Sequence, residues 1–308
     1  MPLITEKNGG RTMIRIGLVD FDTSHVVAFT QRINHVDVGS EDWVEGARVV
    51  AGCPGDSKIM PERIGPYAEQ LRGYGIELVR RPEDLLGKVD AVMIESVQGA
   101  RHLEKATPFL RAGMPTYVDK PFAENLRQAD AMIRLARAHG APLMSCSALR
   151  YDPEVQRAQE LSKHYGRILS ADVWTTATLH HGNPGLLHYG IHGVEMLYAL
   201  MGRGCKAVRC VSVPAYDAAV GVWRDGRIGM LRGIRQGEGG FGFTAHYERG
   251  HYAAVIKGAA FYREMLKQVV RMFATRKEPV DLQETREIVA FITAARRSAV
   301  AGGALRPL

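Results

Sequence analysis

No apolar run in the chain approaches the roughly 18 residues that a membrane-spanning helix needs, and no charged-apolar-small cleavage pattern opens it. These absences argue against a membrane protein or an exported one and lead us to expect a cytoplasmic protein. Cysteine is scarce. Cys53, Cys146, Cys205 and Cys210 form no CxxC pair and lack the density of a disulfide framework, so they read as reduced thiols in buried strands, with no nucleophile among them. Aromatic residues make up only 7% of the chain and form no base-stacking platform. The charge is +7, with 40 Lys and Arg against 33 Asp and Glu, but the basic residues are interleaved with acids, which argues against nucleic acid as a partner. Residues 1–12 read as a flexible lead, with Met13 available as an internal start.

The most informative absence is glycine at one turn. The β-branched run Ile14 to Val19 reads as a buried strand, and a helical apolar pattern resumes at Val26. A turn in that place receives a pyrophosphate when it carries G-x-G-x-x-G, because glycines let the backbone approach and free helix N–H groups meet the charge. Here it reads Asp20-Phe21-Asp22-Thr23-Ser24-His25. A carboxylate about 4 Å from a phosphate costs ~1–4 kcal/mol, depending on the effective dielectric. Either Asp22, Thr23 or Ser24 caps the helix, or the Thr23 and Ser24 hydroxyls meet a phosphate while the carboxylates turn aside and His25 adds positive charge. At the end of the second strand, Asp56 sits slightly late for a ribose contact, and Ser57 with Lys58 suits a 2′-phosphate or a plain surface turn.

What the chain does have is alternation. Strand-like Ala47–Cys53, Ile76–Val79, Asp90–Glu95, Pro115–Val118 and Pro142–Ala148 alternate with helical segments near 61–73, 101–112 and 123–139. This predicts a doubly wound parallel α/β sheet of the Rossmann type over residues 13–150. After Arg150 the pattern changes to a helix, a long strand Ile168–Leu179, a helix His188–Met201, several strand-like runs through Val255, and amphipathic helices near 261–275 and 282–301. Residues 151–308 therefore read as an α+β domain on a large, mostly antiparallel open sheet.

Ligands of such sheets bind beyond the carboxyl ends of the strands. Those ends carry Glu95-Ser96, Asp119-Lys120-Pro121 and Ser147. Lys120 follows a buried strand directly and precedes proline, an unusual place for an ordinary surface lysine. In the second half, 180-HHGNPGLLHYGIHGVEMLYALMG-202 puts His188 and His192 at i, i+4, with Glu195 three residues on, on one face of a helix. His180, His181, His188 and His192 also have ligand types and spacing that permit a zinc-like ion. Tyr151 and Trp174 read as packing residues, His246 and His251 as cross-strand partners, and Arg150 as either an anion-binding group or a cap of the domain junction.

These stretches resemble the Gfo/Idh/MocA oxidoreductases, which include glucose-fructose oxidoreductase and inositol dehydrogenase. Asp119-Lys120-Pro121 is similar to the family's E-K-P motif, His102 to the histidine opening the helix after the fourth strand, and Arg150-Tyr151-Asp152-Pro153 to R-[FY]-x-P. Gly190 and His192 match D-x-G-x-H-x-x-D, with His188 and Glu195 in place of its two acids, and residues 279–303 resemble the closing helix. The resemblance implies NAD or NADP near Asp22, Thr23, Ser24, His25, Ser57, Glu95, Ser96, His102, Asp119 and Lys120. It implies Lys120 and His192, with His188, as the catalytic group, and a sugar-like substrate at Arg150, His181 and Glu195. A homo-oligomer, dimer or tetramer, paired through the second-domain sheet is expected with it. Two other readings stand beside it: a metal-assisted carbohydrate lyase or hydrolase using the histidines, and a non-catalytic sugar or nucleotide sensor.

Overall fold

The structure is a computed structural model that describes residues 7–8 and 11–308, with side chains from Met13 onward. Residues 1–6 and 9–10 of the expected lead lie outside the described residues. Lys7–Asn8 (β1) and Arg11–Thr12 (β2), within that lead, pair antiparallel. Two units divide the chain: residues 1–119, 130–145 and 262–280 form the first, and residues 120–129, 146–261 and 281–308 the second.

The first unit is built on Ile14–Val19 (β3), Ala47–Cys53 (β4), Glu77–Leu78 (β5), Ala91–Ile94 (β6), Thr116–Val118 (β7) and Leu143–Met144 (β8). All neighbours run parallel, in the order β5-β4-β3-β6-β7-β8. The strands read as continuous apolar runs because both faces are covered: Ile16, Leu18, Val92, Met93 and Val118 are all fully buried. Helices His25–Asn34 (α1), Pro61–Gly73 (α2), His102–Arg111 (α3) and Leu126–Ala138 (α4) fill the crossovers. On α1 the buried Val26, Phe29, Thr30 and Ile33 recur at the three- and four-residue spacing of a single helix face. Strand order reverses at β3, between β4 and β6, so the β3–α1 turn stands at the switch point of the sheet.

The second unit holds Pro153–Tyr165 (α5), Ile168–Thr176 (β9), Ile191–Met201 (α6), Cys205–Val213 (β10), Tyr216–Trp223 (β11), Ile228–Ile234 (β12), Phe241–Tyr247 (β13) and Gly250–Val255 (β14). Its sheet runs β14-β13-β9-β12-β11-β10-β15, where β15 is Arg306–Pro307, and every pair is antiparallel except β9 with β12. Alternation along the strands follows from one covered face: Ala219, Leu231 and Phe243 are buried with α6 and Leu282–Val300 (α8), while Ile228 and Met230 are over 40% exposed. Trp174 lies over Gly242, where any side chain would collide with the indole, and His246 faces His251 across β13 and β14.

Three differences from the sequence expectation bear on the site. Residues 262–280 do not stay with the second half: Ala260–Thr275 (α7) enters the first unit at Tyr262, buries Met265, Leu266, Val269 and Phe273, and sets Met265 Sδ 3.5 Å from the Tyr117 hydroxyl. The histidine helix begins at Ile191 rather than His188, because Leu187 ends a short 3-10 turn and Gly190 supplies the cap. The last strand of the first sheet is only Leu143–Met144, since Ser147 caps a 3-10 turn over Ala148–Tyr151.

Candidate functional site

In the first unit the strand ends form a polar floor of buried carboxylates. Asp20 adopts a left-handed conformation, φ 63°, which asparagine and aspartate tolerate better than most residues. Its carboxylate accepts the Ser96 hydroxyl at 2.6 Å and lies 3.3 Å from Lys105 Nζ. Burial pushes its pKa up to about 6, against the Ser96 bond and the Lys105 charge. Asp22 reaches sideways: it accepts the Val97 N–H at 2.9 Å and the Ser57 hydroxyl at 2.7 Å. Ser57 in turn accepts the N–H groups of Ile59 and Met60 at the approach to α2.

The carboxylates therefore do turn aside, and neither Asp22 nor Ser24 caps α1. The Thr23 hydroxyl takes the His25 N–H at 3.3 Å, which leaves Ser24 as the exposed side chain of the turn. The first turn of α1 contains no acid and Ser24 makes no capping bond, so the positive end of the helix faces outward. Lys105 and Arg101 offset the acids, Arg101 binding Asp56 through two nitrogens at 2.7 and 2.8 Å. His25 does not stand as a loose cation: its Nδ1 lies 2.8 Å from Asp119, and its ring stacks on Phe29 and meets the edge of Tyr262. His102 opens α3 and bonds the Ser96 carbonyl at 2.7 Å. With Ser57 engaged by Asp22 and Asp56 by Arg101, the second-strand turn does not choose between a ribose hydroxyl and a 2′-phosphate.

In the second unit, Lys120 follows Asp119 with a cis bond to Pro121. His192, in the first turn of α6, sets Nδ1 2.6 Å from the Ser147 hydroxyl, with Tyr189 and Phe241 edge-on to its ring at 4.8 and 5.8 Å. Behind it, Arg150 bonds Glu195 at 3.0 Å and Glu284 at 2.6 Å. Burial raises Glu195 to about 7, opposed by Arg150; for Arg150 burial works against the charge, but the two glutamates outweigh it and raise its pKa. Arg150, read from the sequence as an anion-binding group or a junction cap, stands in a buried ion pair with two glutamates. Glu195 accordingly faces Arg150 as an internal acid.

His188 precedes α6 and joins the loop instead of sharing a helix face with His192: its ring lies 5.1 Å from that of His180 at a tilt of 36°, and His180 stacks on His181 at 4.4 Å. Among the described residues, the one group of metal-ligand types with ligand atoms within 4.8 Å of one another is His25, Glu95 and Asp119. His180, His181, His188 and His192 do not form such a group. Sequence reasoning gave no role to Ser147, Lys105, Arg101, Tyr262 or Glu284. Ser147 was visible as a strand end, but Glu284 lies 134 residues from Arg150, a separation no local pattern spans.

Residues 62–146 match the family model described as oxidoreductase family, NAD-binding Rossmann fold. Dehydrogenase AclE of Aspergillus oryzae is 30% identical over 171 residues, 54% of this chain and 45% of that protein. The scyllo-inositol 2-dehydrogenase (NADP(+)) IolU of Bacillus subtilis is 37% identical over 79 residues, 26% of this chain and 23% of its own length. The matched stretches thus span less than half of either curated relative. Among solved structures, myo-inositol dehydrogenase from Lactobacillus casei, in complex with NAD(H) and myo-inositol, superposes with a TM-score of 0.79 at 14% identity, covering 96% of this chain and 97% of that one. The resemblance to the Gfo/Idh/MocA oxidoreductases read from the sequence is thus borne out, in residues 62–146 by the family's own model and along nearly the whole chain by fold.

Proposed function

We propose that the protein is an NAD(P)-dependent oxidoreductase acting on a sugar, polyol or related hydroxy/keto compound by hydride transfer, and that it works as a cytoplasmic homo-oligomer. The nicotinamide, when bound, supplies the hydride chemistry. The residues fit such a nucleotide in one specific way: Asp20 and Asp22 are paired off within the protein, so a phosphate has the start of α1, where Ser24 makes no capping bond, and the Ser24 hydroxyl to meet. Asp119 directly follows β7 and His102 opens α3. Lys120 and His192 are the proposed proton-handling pair, and both lie in the second unit. The observation that carries the reading is the fixed imidazole of His192, locked by Ser147 and two aromatic edges at the position where the resemblance puts the catalytic histidine. That relatives are named as inositol dehydrogenases favours a cyclic polyol among the candidate substrates.

Calorimetric titration with NAD+, NADH, NADP+ and NADPH, followed by a polyol and sugar turnover screen, tests this reading. We expect binding of at least one redox pair, and a fall in kcat of about 100-fold or more in Lys120→Ala and His192→Asn. No binding of any of the four at millimolar concentration would overturn it. The metal-assisted alternative needs the loop histidines to aim their ligand atoms at one ion; the His180, His181 and His188 rings neighbour one another, but among the described residues their ligand atoms with those of His192 do not lie within 4.8 Å of one another.

A further inference from the structure

The Ser147 side chain is fully buried, and its hydroxyl has two partners among the described residues. It accepts the Leu149 N–H at 3.2 Å as the cap of the 3-10 turn, and it lies 2.6 Å from His192 Nδ1. A serine hydroxyl carries one proton to donate and two lone pairs to accept with. Leu149 N–H is itself a donor and cannot take that proton. A buried donor is nearly always satisfied, and the acceptor within reach is Nδ1. Were Nδ1 protonated instead, two donors would point at the Ser147 oxygen and its own proton would be buried without an acceptor. A neutral imidazole that accepts at Nδ1 carries its proton on Nε2.

We infer that Ser147 fixes His192 in its Nε2–H tautomer, making His192 a hydrogen-bond donor to the substrate oxygen. This rests on the oxidoreductase reading. Toward a bound keto substrate, the Nε2–H of His192 would donate a hydrogen bond to the oxygen on which negative charge develops, where a bound nicotinamide would supply the hydride chemistry. Ser147 acts through His192 and is a positioning residue. Its own placement is reinforced from behind, where its backbone N–H bonds Glu195, the partner of Arg150.

Long-range proton–nitrogen NMR correlation on protein labelled with nitrogen-15 histidine reads the tautomer directly, with His192 assigned by the signals missing from His192→Gln. We expect a pyridine-like Nδ1 and a pyrrole-like Nε2 in the unaltered protein, and a shift toward mixed tautomers in Ser147→Ala. A pyrrole-like Nδ1 in the unaltered protein would overturn the inference whether or not the variant folds. Because this signal needs no cofactor, it separates the two claims. Failure of nicotinamide-dependent turnover would sink the parent reading, while a wrong tautomer would sink this inference alone.

Discussion

Asp20 shows how a single substitution recasts a nucleotide turn. The left-handed backbone that glycine usually supplies persists at φ 63°, but the side chain it brings is a buried carboxylate held by Ser96 and Lys105. Its pKa rises from an ordinary 3.8 to about 6, chiefly through burial. The sign follows from linkage: between those two values the folded state holds more protons than the unfolded one, so this group's contribution falls as pH rises through the window and is constant above it. The cost at neutral pH is about 3 kcal/mol at most. Asparagine keeps the shape, accepts the Ser96 bond and tolerates the backbone. Urea denaturation of Asp20→Asn and the parent protein at about pH 4 and about pH 7 should show the variant gaining relative stability at the higher pH. A difference that does not change with pH would show that Asp20 ionises as freely as a surface acid. The sequence announced that glycine was missing here; which atoms each carboxylate would choose depended on Val97, Ser57 and Ser96, residues 35 to 76 positions away.

Among the elements, α6, which holds the proposed catalytic His192, lies close on the sheet. Gly193, directly after His192, leaves room for Leu231 and Thr175: a Cβ there would approach them to 2.5 and 2.6 Å. Gly193→Ala should therefore overpack the contact of α6 with β9 and β12, destabilising by about 1–3 kcal/mol and lowering kcat as His192 shifts from Ser147. Chemical denaturation and steady-state kinetics check both. An unchanged midpoint would mean that α6 can lift from the sheet without loss. Most elements were legible from periodicity, and β3, β4 and α2 have the limits that the apolar runs mark. The start of α6 was not. Residues 188–190 keep helix-like spacing in sequence, yet they form a turn whose His188 ring joins the loop histidines.

At the scale of the molecule, the chain returns to its first unit after residue 261, so the apolar face of α7 helps complete a sheet whose strands end before residue 145. The open face of the second unit's sheet exposes Val211 at 56%, Ile228 at 44% and Met230 at 42%. Apolar groups so grouped on one sheet face suit a second copy of the chain, and they carry our proposal of a homo-oligomer. Sedimentation should find the parent protein as a dimer or tetramer and Met230→Glu shifted to the monomer. A monomeric parent protein would remove the proposal. Among the described residues no helix is long and apolar enough to cross a membrane.

By itself, the sequence determined the period of each segment, and so the parallel sheet followed by an antiparallel one, and it singled out Lys120 and His192 as candidates for the chemistry. Those features are local: a repeat of two or of 3.6 residues, or a charged group after a buried strand, is written in neighbouring positions. Only the tertiary structure decided that Asp22 turns to Val97, that Arg150 is shared by Glu195 and Glu284, and that Ser147 holds one nitrogen of His192. Each of those choices pairs a buried polar group with a partner distant in sequence. A buried donor or acceptor is satisfied by whatever the fold brings within about 3 Å, and chain spacing does not encode that distance.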